Sequence, residues 1–278
     1  MRVTEPSDIK YYVKCWIDQN QHDLRGKHCI DIPAGTGVSS DLLKQVGAKV
    51  SAYDLFPEFF QVEGIDCRTA DLTQTLPIAD QTADYVLCQE GIEHIPNQLD
   101  LLSEFNRILK PGGRLVLTTP NYSNLLSRTS YLLGETENYK LMPPNELDSI
   151  WHDSSGQAQH NIYYGHIFLI GIQKLRLLSK IAGFTIKSIV TTKYCRTALA
   201  LFPLQYPFIL LSQINSYLRI RRRHKATPKN IKQIYRELFR LAIDPKILLC
   251  KHLFVEFEKV TLPQESLRPY FDYARSPA

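Results

Sequence analysis

Three aspartates stand where a chain of alternating strands and helices would gather chemistry: Asp31 in "CIDIPAGTG", Asp54 in "AYDLF" and Asp71 in "TADL". Each closes an apolar run. In an open α/β sheet the carboxyl ends of the strands border one crevice, and ligands sit there. Asp31 is followed by the turn Ala34-Gly35-Thr36-Gly37, and Asp54 lies nineteen positions beyond Gly35. That interval suits a second-strand acid accepting hydrogen bonds from ribose hydroxyls. Gly35-Thr-Gly37-Val-Ser-Ser40 approaches the G-x-G-x-x-G turn of dinucleotide sites, whose pyrophosphate rests on a helix amino end. Asp31 argues against a pyrophosphate, because a carboxylate beside the turn repels phosphate and attracts an ammonium group. Capping of a following helix is the alternative role for each acid. Pro33 stands where such turns often carry their first glycine. It donates no backbone hydrogen bond and holds φ at about −65°, so close approach to a ligand falls to Ala34, Gly35 and Gly37.

A second group follows the next strong strand, in Gln89-Glu90-Gly91-Ile92-Glu93-His94. An unperturbed imidazole titrates at about pH 6.5, which makes His94 the candidate general base. Glu90 and Glu93 are lesser candidates for the base, with orientation of His94 or of the cofactor as their alternative role, and Glu90 is also a candidate to face the acceptor. The segment "WHDSSGQAQHNIYYGH", Trp151 to His166, is dense in His, Tyr and Trp. Its His160, Tyr163 and His166 are candidates to face an acceptor, since aromatic and imidazole groups suit a sugar ring or an aromatic ligand. A mobile lid or plain surface loop is the alternative. The spacing of His152, His160 and His166 matches no standard metal site, so no metal is expected.

The elements that must position these residues show in the apolar periodicity. Tyr12, Val13, Trp16 and Ile17 mark a helix over Lys10 to Asn20, ahead of a short strand from Lys27 to Ile32. The opening loop then feeds a helix from Val38 to Val46, stopped at Gly47. Strands end near Asp54, Asp71 and Gln89, and helical spacing returns at Leu99, Leu102, Phe105, Ile108 and Leu109. A turn at "KPGG" leads to a strand from Arg114 to Thr119, stopped by Pro120. Beyond the His-rich loop come an amphipathic helix closed at Gly183, a strand "FTIKSIVTTKYC" and a last strand "KHLFVEFEKV". Strands alternating with helices predict a parallel sheet covered on both faces.

The ordered blocks "CIDIPAGTG", "AYDLF", "TADL", "YVLCQEGIEHI" and "FNRILKPGGRLVLTTPN", over roughly residues 25 to 121, resemble the class I S-adenosylmethionine-dependent methyltransferases. The resemblance implies an α/β fold with a doubly wound, Rossmann-like, seven-stranded and mostly parallel sheet. Its last strand would be antiparallel and reached through a helical insertion. It also implies S-adenosylmethionine as cofactor. Asp31 and the backbone of Ala34, Gly35 and Gly37 would meet its methionine end, as would Gln89. Asp54 would hold the ribose with Leu55 beside it, and Asp71 would contact the adenine amino group with Leu72 beside the ring. The implied activity is O-methylation of a small-molecule, sugar or lipid-linked acceptor, with His94 as base. A catalytically silent cofactor-binding module, serving as a membrane-associated or regulatory subunit, is the alternative function. A dinucleotide oxidoreductase is disfavoured by Asp31.

The 278 residues, 44% of them hydrophobic, suit one large domain with an insertion. The expected organisation is a methyltransferase domain over 1–197, a helical apolar and basic insertion over 198–245, a final sheet strand within 246–262 and a tail over 263–278. The first residues lack an apolar stretch behind a basic start, so cytoplasmic residence is the expectation. Six scattered cysteines without a C-x-x-C pair read as reduced thiols.

The net charge of +5 is unevenly spread: seven Lys/Arg and no acid fall between Arg219 and Lys232. They follow "ALALFPLQYPFILLSQINSYL", an apolar stretch that Pro203 and Pro207 are expected to interrupt, leaving too few residues to span a bilayer. The favoured reading is peripheral seating on the inner face of an anionic membrane through Arg219, Arg221, Arg222, Arg223 and Lys225. A solvated cap or homodimer surface comes next. Nucleic-acid binding ranks last, because no recognised RNA-binding module accompanies the cations.

Overall fold

The computed structural model describes residues 5, 8–136, 143, 145–147, 149–152, 162–223 and 229–266. Asp8 caps the first helix, its carboxylate accepting the Lys10 N–H at 3.0 Å, and α1 runs Ile9–Gln19. A short α2, Gln21–Leu24, leads into β1, His28–Asp31. The alternation continues with α3 (Val38–Gln45), β2 (Lys49–Asp54), β3 (Cys67–Thr69), β4 (Ala83–Gln89), α4 (Gln98–Ile108), β5 (Leu109–Pro120) and α5 (Leu125–Gly134). Two short strands, β6 (Ile150–His152) and β7 (Ile162–Tyr164), pair antiparallel as a separate ribbon. Then come α6 (Ile172–Ile181), β8 (Phe184–Ile189), α7 (Arg196–Arg223), α8 (Lys229–Ile243), α9 (Pro245–Leu249), β9 (His252–Lys259) and α10 (Pro263–Ser266).

The main sheet has seven strands in the order β3-β2-β1-β4-β5-β9-β8. β1 pairs parallel with β2 and β4, and β4 with β5, whereas β9 is antiparallel to both its neighbours. The expected architecture is present, with the reversed strand lying inside the sheet. Apolar side chains leave both faces, as buried parallel strands require. Ile30, Val86, Leu117, Val255 and Phe257 meet α4 and α6 through Leu102, Phe105 and Leu175. Cys29, Tyr85, Leu87, Val116 and Phe254 meet α1 and α3 through Val13, Trp16, Ile17 and Leu43.

Reversal of β9 has a functional consequence. His252 at its amino end pairs with Pro120 at the carboxyl end of β5. The start of β9 therefore shares an edge with the ends of β1, β2 and β4, where strand-terminal residues converge.

Three details depart from the sequence reading. Leu109, whose spacing placed it on the helix, has φ −76° and ψ 140°, and β5 begins there opposite Ala83. β3 stops at Thr69, so Asp71 falls in the turn beyond it. Pro203 and Pro207 do not break the insertion: α7 runs through both. Each proline removes one backbone donor, leaving the carbonyl four residues back without its helical partner. Those carbonyls belong to Leu199 and Pro203. Leu199, Pro203 and Pro207 are all exposed, which lets water satisfy the freed oxygens.

The excursion from α7 to α9 leaves and rejoins the sheet at one place. Tyr194 bridges Cys250, and the Cys195 N–H donates to the Leu249 carbonyl at 2.7 Å. Asn121, just past β5, ties this junction, its Nδ2 donating to the Ile247 and Cys250 carbonyls at 2.7 and 2.8 Å.

Candidate active site

Beyond β1 the chain turns tightly over the edge of the sheet. The Ile32–Pro33 peptide is cis, Gly35 has φ +52° and Gly37 φ +86°, the left-handed region that favours glycine. The Ala34 N–H donates to the Tyr53 carbonyl at 2.9 Å, and the Gly37 N–H to the Ala34 carbonyl at 2.9 Å. The Gly35 N–H donates to Asp54 Oδ2 at 2.7 Å, while Asp54 Oδ1 accepts the Phe56 N–H at 2.9 Å. The turn is thus laced to the end of β2. A side chain at Gly37 would press into Val62 and Phe60, at 2.5 and 2.6 Å, whereas nothing lies within 4 Å of a Cβ at Gly35. That open side leaves room for a ligand against the backbone.

Asp31 is fully buried. Its Oδ2 accepts the Ser40 hydroxyl at 2.6 Å, and its Oδ1 is buried with no hydrogen-bond partner among the described residues. Burial pushes this carboxyl up to about 7, against the pull of the Ser40 hydrogen bonds. An unpaired buried carboxylate oxygen is costly unless a donor reaches it, and an ammonium group is the donor it suits best. The residues present therefore fit the amino end of S-adenosylmethionine.

The other expected cofactor residues lie around this turn. Gln89, half-buried at the end of β4, donates from Nε2 to Ser39 Oγ in the first turn of α3. Asp71 Oδ1 accepts from both the backbone N–H and the hydroxyl of Thr73, at 2.8 and 2.7 Å, so it organises its own turn. Leu55 is half-buried, and Leu72 packs against the core.

Past β4 the chain enters a cluster of ionisable groups. Glu90 has φ +47°, a conformation rare for a residue with a side chain, and its N–H donates to the Thr118 carbonyl at 3.0 Å. Its Oε2 lies 3.7 Å from Nε2 of His252. Glu93 and His94 follow in a 3-10 turn, Ile92–His94. Glu93 is fully buried, its Oε2 accepting the Thr119 hydroxyl at 3.0 Å and its Oε1 unpartnered among the described residues. The rings of His94 and His166 have centroids 5.2 Å apart.

Burial, then the neighbouring Glu93 charge, raise the Glu90 carboxyl to about 8. Burial raises Glu93 as well. Burial, then the Lys251 charge, lower the His252 imidazole, and partial desolvation followed by His94 lowers His166. The environment thus favours neutral forms of these four groups, which is the condition for moving protons at moderate pH.

Gln98 clamps the cluster, its Nε2 donating to the Ile92 and Phe168 carbonyls at 3.1 and 2.6 Å, while the Phe168 N–H donates to the Glu93 carbonyl. This brings His166 beside His94. Of the other acceptor-side candidates, Tyr163 has its backbone in β7 opposite Trp151, and His160 lies outside the described residues. Potential ligand atoms of Glu93, His94 and His166 all fall within 4.8 Å of one another, a set able to hold a metal ion although sequence spacing pointed to none. His252 was missed by the sequence reading. The signal was its place at the start of the strand expected to run antiparallel, which puts it at the ligand edge.

A family model described as a methyltransferase domain matches residues 9–189, from α1 through β8. Among curated proteins, the ubiquinone biosynthesis O-methyltransferase of Xanthomonas oryzae pv. oryzae is 32% identical over 108 residues, covering 36% of this chain and 45% of that protein. Its namesake from Burkholderia multivorans is 30% identical over 142 residues, covering 48% and 60% respectively. The chain thus spans about half the length of the curated relatives it matches, between 45% and 60%. Among solved structures, a SAM dependent methyltransferase from Archaeoglobus fulgidus superposes with a TM-score of 0.51 at 14% identity, over 90% of this chain and 94% of that one. The YcgJ protein from Bacillus subtilis gives 0.52 at 12% identity, over 90% and 99%. At these identities the structural likeness speaks for the fold alone.

Proposed function

The chain belongs to the class I S-adenosylmethionine-dependent methyltransferases, and from that premise we propose that it methylates a hydroxyl oxygen of a small-molecule acceptor, a sugar or lipid-linked compound included. The observation that carries the reading is the cluster of Glu90, Glu93, His94, His166 and His252 at the same sheet edge as the Asp31 turn. The curated relatives, named as O-methyltransferases, support oxygen as the methylated atom.

When bound, S-adenosylmethionine supplies an electrophilic methyl group on a sulfonium sulfur. The chain must then hold donor and acceptor in line, because proximity and alignment supply much of the rate in such a displacement. Asp31 Oδ1 would hold the amino group, and the open backbone at Gly35 would receive the methionine end. Asp54 keeps lone pairs free beside its two backbone donors and would take ribose hydroxyls. Asp71 would do the same for the adenine amino group.

A ring nitrogen of His94 takes the acceptor's hydroxyl proton. Glu93 lies within 4.8 Å of His94, buried and anchored by Thr119, where it would orient the ring. Glu90 Oε2 and Nε2 of His252, 3.7 Å apart, would add a second acid and base close enough for proton exchange through small movements.

Incubation with methyl-labelled S-adenosylmethionine and a panel of phenols, sugars and polyisoprenoid-linked hydroxyls tests the proposal. Label should pass to oxygen only when an acceptor is present. Tight cofactor binding without acceptor-dependent transfer between pH 6 and 9 would instead support a silent module, and label on nitrogen would overturn the choice of atom.

A further inference from the structure

The insertion turns one face of α7 inward and leaves the other bare. Its inner face carries Ala198, Leu201, Phe202, Tyr206 and Ile209 against Leu125, Leu248 and Leu249, and Gln205 Nε2 donates to Thr129 Oγ1 at 2.8 Å. On the outer face Leu204, Phe208 and Leu211 are 66%, 69% and 65% exposed, and Ile214 and Leu218 are exposed too. The spacing of 204, 208, 211 and 218 keeps them on one side of a helix. The stripe they form is about 21 Å long at 1.5 Å rise per residue. Exposed Arg222 continues it, about five turns beyond Leu204. At the end of α5, packed beside α7, Leu132 and Leu133 are also exposed.

The returning helix adds charge. α8 packs on α7 through the Tyr217 and Phe239 rings, 5.7 Å apart, and exposes Lys232, Arg236 and Arg240 at four-residue steps. Its one acid, Glu237, is taken by Arg176 at 2.8 Å. We propose that α7 and α8 form a hairpin that lies in the interface of an anionic bilayer, with the α7 stripe at the headgroup–acyl boundary and the cations against acidic headgroups. The inference stands independently of the methyl acceptor.

Other occupants fit this surface less well. By length and composition Arg196–Ile220 could cross a membrane, but crossing would pull its inner face off Leu125, Leu248 and Leu249 and break the Gln205–Thr129 bond. A second copy pairing through the stripe would find no acid on α7 to meet its arginines. Nucleic acid would leave the apolar stripe without a partner.

Sedimentation of the full chain with phosphatidylcholine vesicles, with and without phosphatidylglycerol, is the test. The chain should pellet with the anionic vesicles at low salt and much less with the neutral ones. Combined Leu204→Gln, Phe208→Gln and Leu211→Gln should lower partitioning at least tenfold. Arg219→Glu with Arg222→Glu should lower it at least fivefold, a loss that high salt reproduces in the wild type. All five positions are exposed, and unchanged thermal unfolding would show the variants folded. The proposal is overturned if the wild type stays in the supernatant, or if the glutamine variant pellets equally. It is equally overturned if the wild type is a dimer that the glutamine variant makes monomeric, or if alkaline carbonate fails to release it from cell membranes.

Discussion

At the scale of single residues, the site is defined by carboxyl groups that the fold keeps from ionising. Asp31 must be charged to attract an ammonium, yet burial holds it at about 7. Below that pH a ligand's amino group must first displace a proton. Affinity for S-adenosylmethionine should therefore weaken as pH falls from 7 toward 5, by up to about tenfold per unit. Asp31→Asn should bind more weakly and lose most of that slope, and calorimetric titration at three pH values reads both. A slope preserved in Asp31→Asn would remove this carboxyl from the site. Glu90 raises a second expectation. Its carboxyl stays protonated to about 8 and faces His252. If its ionisation assists proton removal, turnover should climb between pH 7 and 8.5, and Glu90→Gln should flatten the climb. His94→Ala should cost roughly 10²–10⁴ in turnover, the range for a lost general base, with little change in cofactor affinity. Full activity in that variant would end the assignment.

At the scale of elements, the crevice depends on how closely two turns approach. A Cβ at Gly91 would sit 2.8 Å from Cδ of Pro33, and the rigid proline ring cannot swing aside. Gly91→Ala should therefore push the β1 turn away from the β4 turn, destabilise the fold by about 1–3 kcal/mol as overpacking does, and weaken cofactor binding. Calorimetry of unfolding and of binding checks both, and unaltered affinity would show that this contact does not set the crevice. Little of that contact was legible in the sequence, which shows Pro33 and Gly91 but not that they touch. The strands and the Asp31 turn were legible because apolar periodicity and glycine spacing are local. His252 was not, since its role arises only when β9 reverses and meets Pro120. The continuity of α7 was hidden for a related reason: whether a proline breaks a helix depends on whether its freed carbonyl is left buried, and here the residues that carry those carbonyls, Leu199 and Pro203, are exposed.

At the scale of the whole molecule, the same buried acids bias stability against pH. Asp31 and Glu90 have folded-state values of about 7 and 8, well above an ordinary carboxyl, so between about pH 4.5 and 8 the folded chain binds more protons than the unfolded one. Stability from these groups is fully present below their unfolded values and is lost as pH rises through 7 and 8. Asp84 and Glu104, lowered by hydrogen bonds and cations, act only in more acid solution, where protonating them removes stability. His166 and His252 are lowered too, so their contribution grows up to about pH 6.5 and then stops. Opposing slopes meet below neutrality; above it the raised carboxyls of Asp31, Glu90 and Glu93 act, joined toward pH 8.5 by the raised thiols of Cys29, Cys67, Cys88 and Cys250, all in the same direction. The thermal midpoint of the ligand-free chain should therefore fall from pH 6.5 to 8.5, and Asp31→Asn combined with Glu90→Gln should make the fall shallower. Saturating S-adenosylmethionine should reduce the fall, because an ammonium against Asp31 removes the penalty for ionising it. A midpoint that instead rises over this interval would mean that these carboxyls are already charged in the folded chain. The crevice would then lack the unpaired acid on which its fit to the cofactor rests.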